Sequence, residues 1–286
     1  MPVPKVITIT NQKGGTGKTT LTALLSYGLA SKGYNVLMLD LDPQAHLSSL
    51  FLKQNDIEKV NHGTFEMARD EKFNIKKIEL NVEGKIGLVP SGLNYILDVY
   101  RGRIPAWDQY AIKRRISREP AITGHYDFVV CDTPPELFPP TLWGLYAADY
   151  IIIPSNMEEL SLLGVKLLLK EVLPDVMLYE HNLKVLGIVM VRVDRRIKQE
   201  RFEKVKNDII KILRGLPSSI TRNVYRKPLF DTIIHKHSEL TDLVYRPRRW
   251  EVPLDRTLRS NDALKQDAEA FTNEVLTRMN DFRSVE

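Results

Sequence analysis

The chain has 286 residues, of which 43% are hydrophobic and 27% charged, so it can form a well-packed α/β core and is not a disordered polymer. Its formal net charge is +5, and its single cysteine, Cys131, excludes an internal disulfide framework and any cysteine-based zinc or iron–sulfur site within one chain. We therefore expect a location in the reducing cytoplasm. We also expect no signal peptide in MPVPKVITITN, and no apolar run reaches the roughly 18–20 residues of a membrane span.

Short β-branched segments alternate with longer amphipathic ones, the pattern of βα units around a parallel sheet. The first strand is predicted at Lys5–Thr10, and a glycine-rich turn and a helix over Thr19–Ser31 follow it. Further strands are predicted at 35–39, 86–89, 128–131, 150–153, 185–191 and 229–234. Further helices are predicted near 92–101, 106–118, 157–173, 197–214 and 261–282, and residues 53–85 are predicted to be irregular surface. We therefore predict an α/β fold with a mostly parallel twisted sheet, helices on both of its faces, and one domain over residues 1–286.

The segment Asn11–Thr20, NQKGGTGKTT, separates the first strand from the first helix and predicts a phosphate-binding loop. Glycines let backbone N–H groups curl around phosphates, and the N-terminus of the following helix adds its positive dipole end. Lys18 would reach the β- and γ-phosphates, and the Thr19 hydroxyl would ligate Mg²⁺. The common pattern has a glycine where this chain has Gln12, and Lys13 is an additional lysine at the start of the loop. The predicted phosphate contacts in this loop are Gly14, Gly15, Thr16, Gly17, Lys18, Thr19 and Thr20, and Lys13 precedes them.

Carboxylates end two of the predicted strands. Asp132 closes the apolar segment 126–131, the position of a Walker B carboxylate, and Asp40 and Asp42 flank Leu41 after the second strand. Parallel strands bring their carboxyl ends to the same edge as the phosphate loop, so the three carboxylates are expected to converge there. Such a cluster repels itself unless a cation is bound, which favours a metal–nucleotide site over helix capping.

The motifs KGGTGKTT with Lys13, LDLDPQ at 39–44 and CDTPP at 131–135 together resemble the ParA/MinD family of deviant Walker A ATPases, and the ParA partition ATPases most closely. The likeness continues through IIIPSN at 151–156 and LGIVMVRVD at 186–194 to the final helix. It implies an ATPase that forms a sandwich dimer with ATP, in which Lys13 reaches the other subunit's phosphates.

The resemblance also assigns roles around the nucleotide. It implies that Asp42 positions the attacking water, that Asp40 and Asp132 support the magnesium shell with Thr19, and that the segment 133–136 senses the γ-phosphate. The catalytic residues are then Lys13, Lys18 and Asp42, with ATP hydrolysed to ADP and phosphate. Adenine is expected near Val191, Arg192 and His235, and the family commonly has a proline at the last of these positions.

Positively charged residues are in excess in the C-terminal half of the chain. Residues 192–259 contain 18 Lys and Arg but 9 Asp and Glu, which indicates either a surface for a polyanion or a set of solvated helix faces. The resemblance implies sequence-independent DNA binding by the ATP dimer, release after hydrolysis stimulated by a ParB-like adaptor, and a nucleoid-associated location. No helix-turn-helix is expected before the first strand, so direct autorepression is not predicted. The candidate DNA contacts are Arg195, Arg196, Lys198, Arg201, Lys236, Arg246, Arg248 and Arg249.

Three other functional classes are alternatives to a DNA partition ATPase. A MinD-like membrane-cycling ATPase needs a basic amphipathic C-terminal helix, whereas the final helix here carries Asp262, Asp267, Glu269 and Glu274 and is predicted to pack in the core. Iron–sulfur relatives need cysteines presented to a cluster, and Cys131 lies within a predicted buried strand. A metabolic ligase with the same phosphate loop would leave the basic C-terminal half without an explanation.

Overall fold

The computed structural model describes residues 2–52, 57, 60, 63–70, 78–80, 85–92, 97, 101, 108–237 and 261–284. Eight strands among these residues form a single sheet. In chain order they are β1 (Lys5–Ile9), β2 (Asn35–Asp40), β3 (Ile78–Leu80), β4 (Lys85–Val89), β5 (Phe128–Asp132), β6 (Tyr150–Ser155), β7 (Lys184–Val193) and β8 (Leu229–His235).

The described helices surround this sheet. They are α1 (Lys18–Ala30), α2 (His46–Ser49), α3 (Thr64–Arg69), α4 (Ala111–Arg118), α5 (Pro139–Ala147), α6 (Glu159–Leu167), α7 (Leu173–Tyr179), α8 (Gln199–Arg214), α9 (Ser218–Thr221) and α10 (Asp262–Arg283). A π-helical turn, Leu168–Val172, joins α6 to α7.

The strand order is β3-β4-β2-β5-β1-β6-β7-β8, with β1 between β5 and β6. Every pairing is parallel except that of β3, which runs antiparallel to β4 at the edge. The predicted α/β fold with a mostly parallel sheet is therefore confirmed. Because parallel strands end at the same edge, the segments after β1, β2, β5, β7 and β8 lie along one side of the molecule.

The sheet is covered on both faces, as predicted. Along β1, Ile7 and Ile9 pack in the core beneath α1 and α10, whereas Val6 belongs to the opposite core, with α4 and α5. The helices α1 and α10 also approach each other closely, because a Cβ atom on Gly28 would lie 1.9 Å from the hydroxyl oxygen of Thr272. This contact places α10 firmly against the helix that begins at the phosphate loop.

The helix α10 packs in the core, as predicted from its sequence. Phe271 and Val275 are fully buried, and so is Arg278, whose guanidinium carbon lies 3.8 Å from the centroid of the Phe230 ring. Arg278 donates hydrogen bonds to Glu274 and to the backbone carbonyl of Leu186, which satisfies the buried charge. None of the helices that the structure describes is long and apolar enough to cross a bilayer.

The structure corrects several predicted elements. Part of the segment 53–85 is regular, since it contains α3 and β3, and α5 was not predicted at all. The helix predicted at 106–118 begins at Ala111, and the helix predicted at 157–173 continues through the π turn to Tyr179. Pro174 lies just after the π turn, at the second residue of α7. The predicted helix near 92–101 falls largely outside the described residues.

Candidate nucleotide-binding site

The loop between β1 and α1 has the backbone conformation that a phosphate cradle needs. Gly15 and Gly17 have φ angles of 73° and 84°, in the left-handed region that favours glycine. A Cβ atom on Gly17 would also lie 3.2 Å from a methyl carbon of Val191. Gly17 immediately precedes the first residue of α1, so the positive end of this helix faces the loop.

The side chain of Lys18 crosses the interior of the phosphate loop. It is buried, and its Nζ donates hydrogen bonds to the backbone oxygens of Lys13 at 2.9 Å and Asn11 at 3.2 Å. Burial lowers the pKa of Lys18, while the charges of Asp132 and Asp42 act in the opposite direction. The ammonium therefore lies in a low-dielectric site, where it would attract a phosphate strongly.

Thr19 and Asp132 meet where α1 faces the end of β5. The Thr19 hydroxyl donates to Oδ2 of Asp132 at 2.7 Å, and the Oδ1 atom of Asp132 is buried without a hydrogen-bond partner among the described residues. Burial and the nearby Asp40 raise the pKa of Asp132 well above its usual range. An orphaned carboxylate oxygen beside a hydroxyl fits a Mg²⁺ ion, which takes few protein ligands and completes its shell with phosphates and water.

The carboxylate of Asp40 is hydrogen-bonded to the segment that follows β2. It accepts hydrogen bonds from the Ser48 N–H at 2.7 Å, the Ser48 hydroxyl at 2.6 Å and the Asp42 N–H at 3.1 Å. Burial raises the pKa of Asp40 to about 7, and the neighbouring Asp42 adds to this effect. These bonds fix the segment that follows β2, and the metal-supporting role of Asp40 stays a prediction.

Asp42 lines the cleft in front of the phosphate loop. Its Oδ1 accepts from the Gln44 N–H at 2.9 Å, and its Oδ2 lies 3.4 Å from Nδ1 of His46. The hydrogen bond to Asp42 raises the pKa of His46, which also lines the cleft. His46 was not predicted, although its position four residues after Asp42 at the start of a helix could have suggested the contact.

Lys13 points to a neighbour within the same chain. Its Nζ forms an ion pair with Glu158, in the segment that follows β6, and this contact lowers the pKa of Glu158. The exposed fraction is 60% for the Glu158 side chain and 21% for that of Lys13. The hydroxyl of Thr16 donates to the Lys13 carbonyl at 3.2 Å, which tightens the loop behind the lysine.

The cleft continues from the phosphate loop to the ends of β7 and β8. It is lined there by Val191, Arg192 and the segment 234–237, so the structure brings the three predicted adenine contacts to the same cleft. Arg192 has a φ angle of 56° and donates from Nη1 to the Gly15 carbonyl at 3.1 Å. His235 is held by Asp267 of α10, a contact between residues 32 positions apart that no local pattern indicated.

The predicted DNA contacts that the structure describes are exposed at the same edge. The loop after β7 carries Arg195, Arg196 and Lys198, and Lys236 follows β8. The two loops are joined, because the Lys236 N–H donates to the Val193 carbonyl at 3.0 Å. Arg201, in α8, is also exposed, whereas Arg246, Arg248 and Arg249 lie outside the described residues.

Sequence comparison identifies a family and relatives across two domains of life. The model of the family described as an AAA domain matches residues 4–185. The uncharacterized protein MJECL24 of Methanocaldococcus jannaschii is 34% identical over 227 residues, covering 76% of this chain and 85% of that protein. The sporulation initiation inhibitor protein Soj of Bacillus subtilis is 30% identical over 194 residues, covering 67% of this chain and 74% of Soj.

Solved structures give the same answer for the fold. The pNOB8 ParA structure has a TM-score of 0.76 and 25% identity, covering 98% of this chain and 99% of that one. The cobyrinic acid a,c-diamide synthase of Mycobacterium smegmatis, solved with an ATP analog and magnesium, has a TM-score of 0.65 and 25% identity, with coverages of 91% and 98%. Together with the phosphate loop, these matches confirm the resemblance stated from the sequence: the chain belongs to the AAA domain family and is of the ParA type.

Proposed function

We propose that this chain is an ATPase that partitions DNA, either a plasmid or a chromosome, and that it acts at the nucleoid. ATP and Mg²⁺ would join two copies in a sandwich dimer that binds DNA without sequence preference. Hydrolysis to ADP and phosphate, stimulated by a ParB-like adaptor, would then separate the copies and release the DNA. The family membership and the resemblance to partition ATPases support this proposal.

The observation that carries the proposal is that a phosphate site and a basic surface share one edge of the sheet. Gly15 in the phosphate loop accepts a hydrogen bond from Arg192, and the exposed Arg195 and Arg196 follow a few residues later. Hydrolysis of the nucleotide would therefore take place only a few residues from side chains that are suited to bind DNA phosphates. A metabolic ligase with the same loop would have no use for this surface.

The chemistry assigned to the chain's own residues follows from their positions. Lys18 would exchange its carbonyl acceptors for phosphate oxygens, and the Thr19 hydroxyl with Asp132 would hold the magnesium ion. When bound, that ion would neutralise charge on the phosphates. Asp42, which lines the cleft and is oriented by the Gln44 N–H, would position the attacking water.

Dimerisation would require Lys13 to leave Glu158 for the phosphates of the partner copy. Ion pairs at exposed positions contribute about 0–1 kcal/mol, so breaking the contact with the largely exposed Glu158 would cost little. A lysine placed against the phosphates of the other subunit would offset the charge that grows during hydrolysis, as an arginine finger does. ATP would thus be the substrate and would also stabilise the dimer.

Light scattering coupled to gel filtration tests the proposal with ADP, with ATP, and with ATP plus a random-sequence duplex. We expect a dimer mass with ATP alone and a dimer–duplex complex when DNA is added. Lys13→Ala should keep ATP binding but lose the dimer and hydrolysis, because the lysine would act on the partner's nucleotide. Lys32→Ala, an exposed lysine just after α1, is the matched control.

A protein that binds ATP, remains a single copy and ignores the duplex would contradict the proposed motor. A Lys13→Ala variant that still forms ATP-dependent dimers would contradict only the assignment of Lys13.

A further inference from the structure

His46, at the start of α2, contacts the carboxylate to which the proposed function assigns the attacking water. Its Nδ1 atom lies 3.4 Å from Oδ2 of Asp42, four residues earlier in the chain. The other carboxylate oxygen, Oδ1, accepts from the Gln44 N–H at 2.9 Å, so Asp42 is held on both sides. The His46 side chain is 49% exposed and lines the same cleft as the phosphate loop. Its ring is therefore open to a nucleotide that occupies the cleft.

The contact with Asp42 determines which ring nitrogen of His46 carries the proton. An ionised carboxylate only accepts hydrogen bonds, so Nδ1, which faces Asp42, is the donor. In the neutral imidazole Nε2 is then an acceptor, and among the described residues it has no hydrogen-bond partner. A carboxylate that orients an imidazole and leaves its second nitrogen free is the arrangement of a general base.

The strand order places His46 on the side of the cleft where the last phosphate of a nucleotide is expected. In the sheet, β2 lies on one side of β1, and β7 and β8 lie on the other. The base is expected near Val191 of β7, and Lys18 and Thr19, which follow β1, are expected to hold the phosphates. A nucleotide that extends along the cleft therefore directs its γ-phosphate towards the end of β2, which Asp42 and His46 follow.

Several charged groups surround the His46 ring. The hydrogen bond to Asp42 raises the pKa of His46, partial burial lowers it, and the charges of Asp42, Asp40 and Asp132 raise it further. The other charged or titratable side chains that line the cleft are Lys18, Arg192, His235, Lys236 and His237. The net effect is a pKa above the usual 6.5, so an imidazolium that forms at His46 is stabilised.

We propose that His46 is the general base of ATP hydrolysis and that Asp42 positions it. The inference rests on the proposed function and deepens the role of Asp42, which would act on the attacking water through the His46 ring. The water oxygen bonds to the γ-phosphorus while the bond from that phosphorus to the bridging oxygen breaks, and its electron pair stays with ADP. The water proton moves to Nε2 of His46 and is later released to the solvent.

Single-turnover hydrolysis of ATP, with Mg²⁺ and a random-sequence duplex present, tests the inference. His46→Asn is the informative variant, because its amide can still donate to Asp42 but offers no basic nitrogen. We expect its rate constant to fall about 100-fold, a typical contribution of a general base. ATP binding, measured by calorimetry, and the ATP-dependent dimer mass should be retained. His181→Asn, an exposed histidine between α7 and β7, is the matched control and should hydrolyse ATP at the wild-type rate.

The pH dependence distinguishes a base from a structural contact. Only the neutral imidazole accepts a proton, so the wild-type rate should fall as the pH decreases through the pKa of His46, which lies above 6.5. Asp40, with a pKa of about 7, titrates in both proteins, so the useful quantity is the ratio of the wild-type rate to the His46→Asn rate. We expect this ratio to rise with pH and then level off. A ratio independent of pH shows a structural role and overturns the inference.

The double variant Asp42→Asn with His46→Asn tests whether the two residues act as one unit. Residues that act in the same step have strongly non-additive effects on the rate. We expect the double variant to be within about twofold of the slower single variant. Additive losses show separate roles and overturn the positioning of His46 by Asp42.

The outcomes separate the inference from the proposed function. A His46→Asn variant that hydrolyses ATP at the wild-type rate overturns the inference and leaves the proposed ATPase intact. A variant that no longer binds ATP or no longer dimerises assigns His46 to assembly and also overturns it. A wild-type chain that does not hydrolyse ATP contradicts the proposed function and the inference together. Thermal unfolding without nucleotide checks that each variant is folded, and His46→Gln, a second variant without a basic nitrogen, should show the same loss of rate.

Discussion

The strand ends on the β1–β5 side of the cleft carry buried charges, whereas those of β7 and β8 carry exposed ones. Lys18 and Asp132 are less than a tenth exposed, and each is close to an opposite charge or a hydrogen-bond donor within a few ångströms. Arg196 and Lys236 lie on the surface, where water screens them. One half of the edge is therefore preorganised for a small anion, and the other is suited to a long, mobile polyanion.

The two halves also depend on different parts of the chain. The phosphate loop and Lys18 lie within one βα unit, so their geometry follows from neighbours in sequence. The cleft beyond Val191 depends on α10, which supplies Asp267. Changes on the β1–β5 side should therefore have large and local effects on nucleotide binding, and changes on the β7–β8 side should affect selectivity and DNA affinity.

The largest expected effect is that of Lys18→Ala on nucleotide affinity. The variant removes a buried ammonium that would donate to phosphate oxygens, and charge-assisted hydrogen bonds of this kind are strong. We expect at least about a 100-fold loss in affinity for ATP, measured by calorimetry. Lys32→Ala, an exposed lysine after the same helix, should bind ATP normally. Retained tight binding by Lys18→Ala would place the phosphates elsewhere and remove the contrast between the halves.

A double charge reversal, Arg196→Glu with Lys236→Glu, addresses the exposed half. Each lost phosphate contact lowers the slope of log affinity against log salt by about 0.9, so the slope should fall by roughly 2. At low salt we expect about a tenfold or greater loss of affinity for a random-sequence duplex, with ATP binding retained. Filter binding over a series of salt concentrations measures both quantities.

Arg222→Glu with Lys227→Glu is the matched control for this reversal. Both residues are exposed, and they lie near the amino ends of β7 and β8, at the opposite edge of the sheet. If this pair rather than the first determines the salt slope, the DNA surface is on the other side of the molecule.

A last expected effect concerns the pH dependence of stability rather than the affinity for a ligand. Burial raises the pKa of Asp40 from 3.8 to about 7, so between these values the native chain retains a proton that the unfolded chain releases. The contribution of Asp40 to the free energy of unfolding is therefore present at about pH 4 and is lost as the pH rises to about 7. Asp40→Asn should flatten this dependence in urea titrations. Glu269→Gln, an exposed carboxylate on α10, should leave it unchanged, and an unaltered slope in Asp40→Asn would contradict the assignment.

The sequence was sufficient to predict the seven parallel strands and the phosphate loop. Predicted and observed strand ends differ by two residues or fewer, because buried β-branched segments such as IIIP in β6 have clear polar boundaries. Asp132 was predicted to lie at the same edge as the phosphate loop, where the Thr19 hydroxyl donates to it, and it does so because parallel strands end at one edge. These features follow from local sequence and from a general rule of sheet topology.

Other features depend on contacts that no local pattern contains. The helix α5 begins with two prolines and contains Gly144, a composition typical of a turn, yet it lies against the sheet with Trp143 buried. Arg278 is a charged residue of the last helix, yet it is fully buried between aromatic rings and carbonyl groups. Asp267 belongs to the same class, because its partners lie about 30 residues earlier in the chain.

The close contact between Gly28 and Thr272 joins two helices, α1 and α10, that are translated at very different times. The phosphate loop is translated early, but α10, which packs on α1 and holds the end of β8, follows more than 200 residues later. A nascent chain therefore has a phosphate-binding motif long before it has a complete cleft. A nucleotide that contacts both parts of the cleft would stabilise molecules in which α10 has docked more than molecules in which it has not.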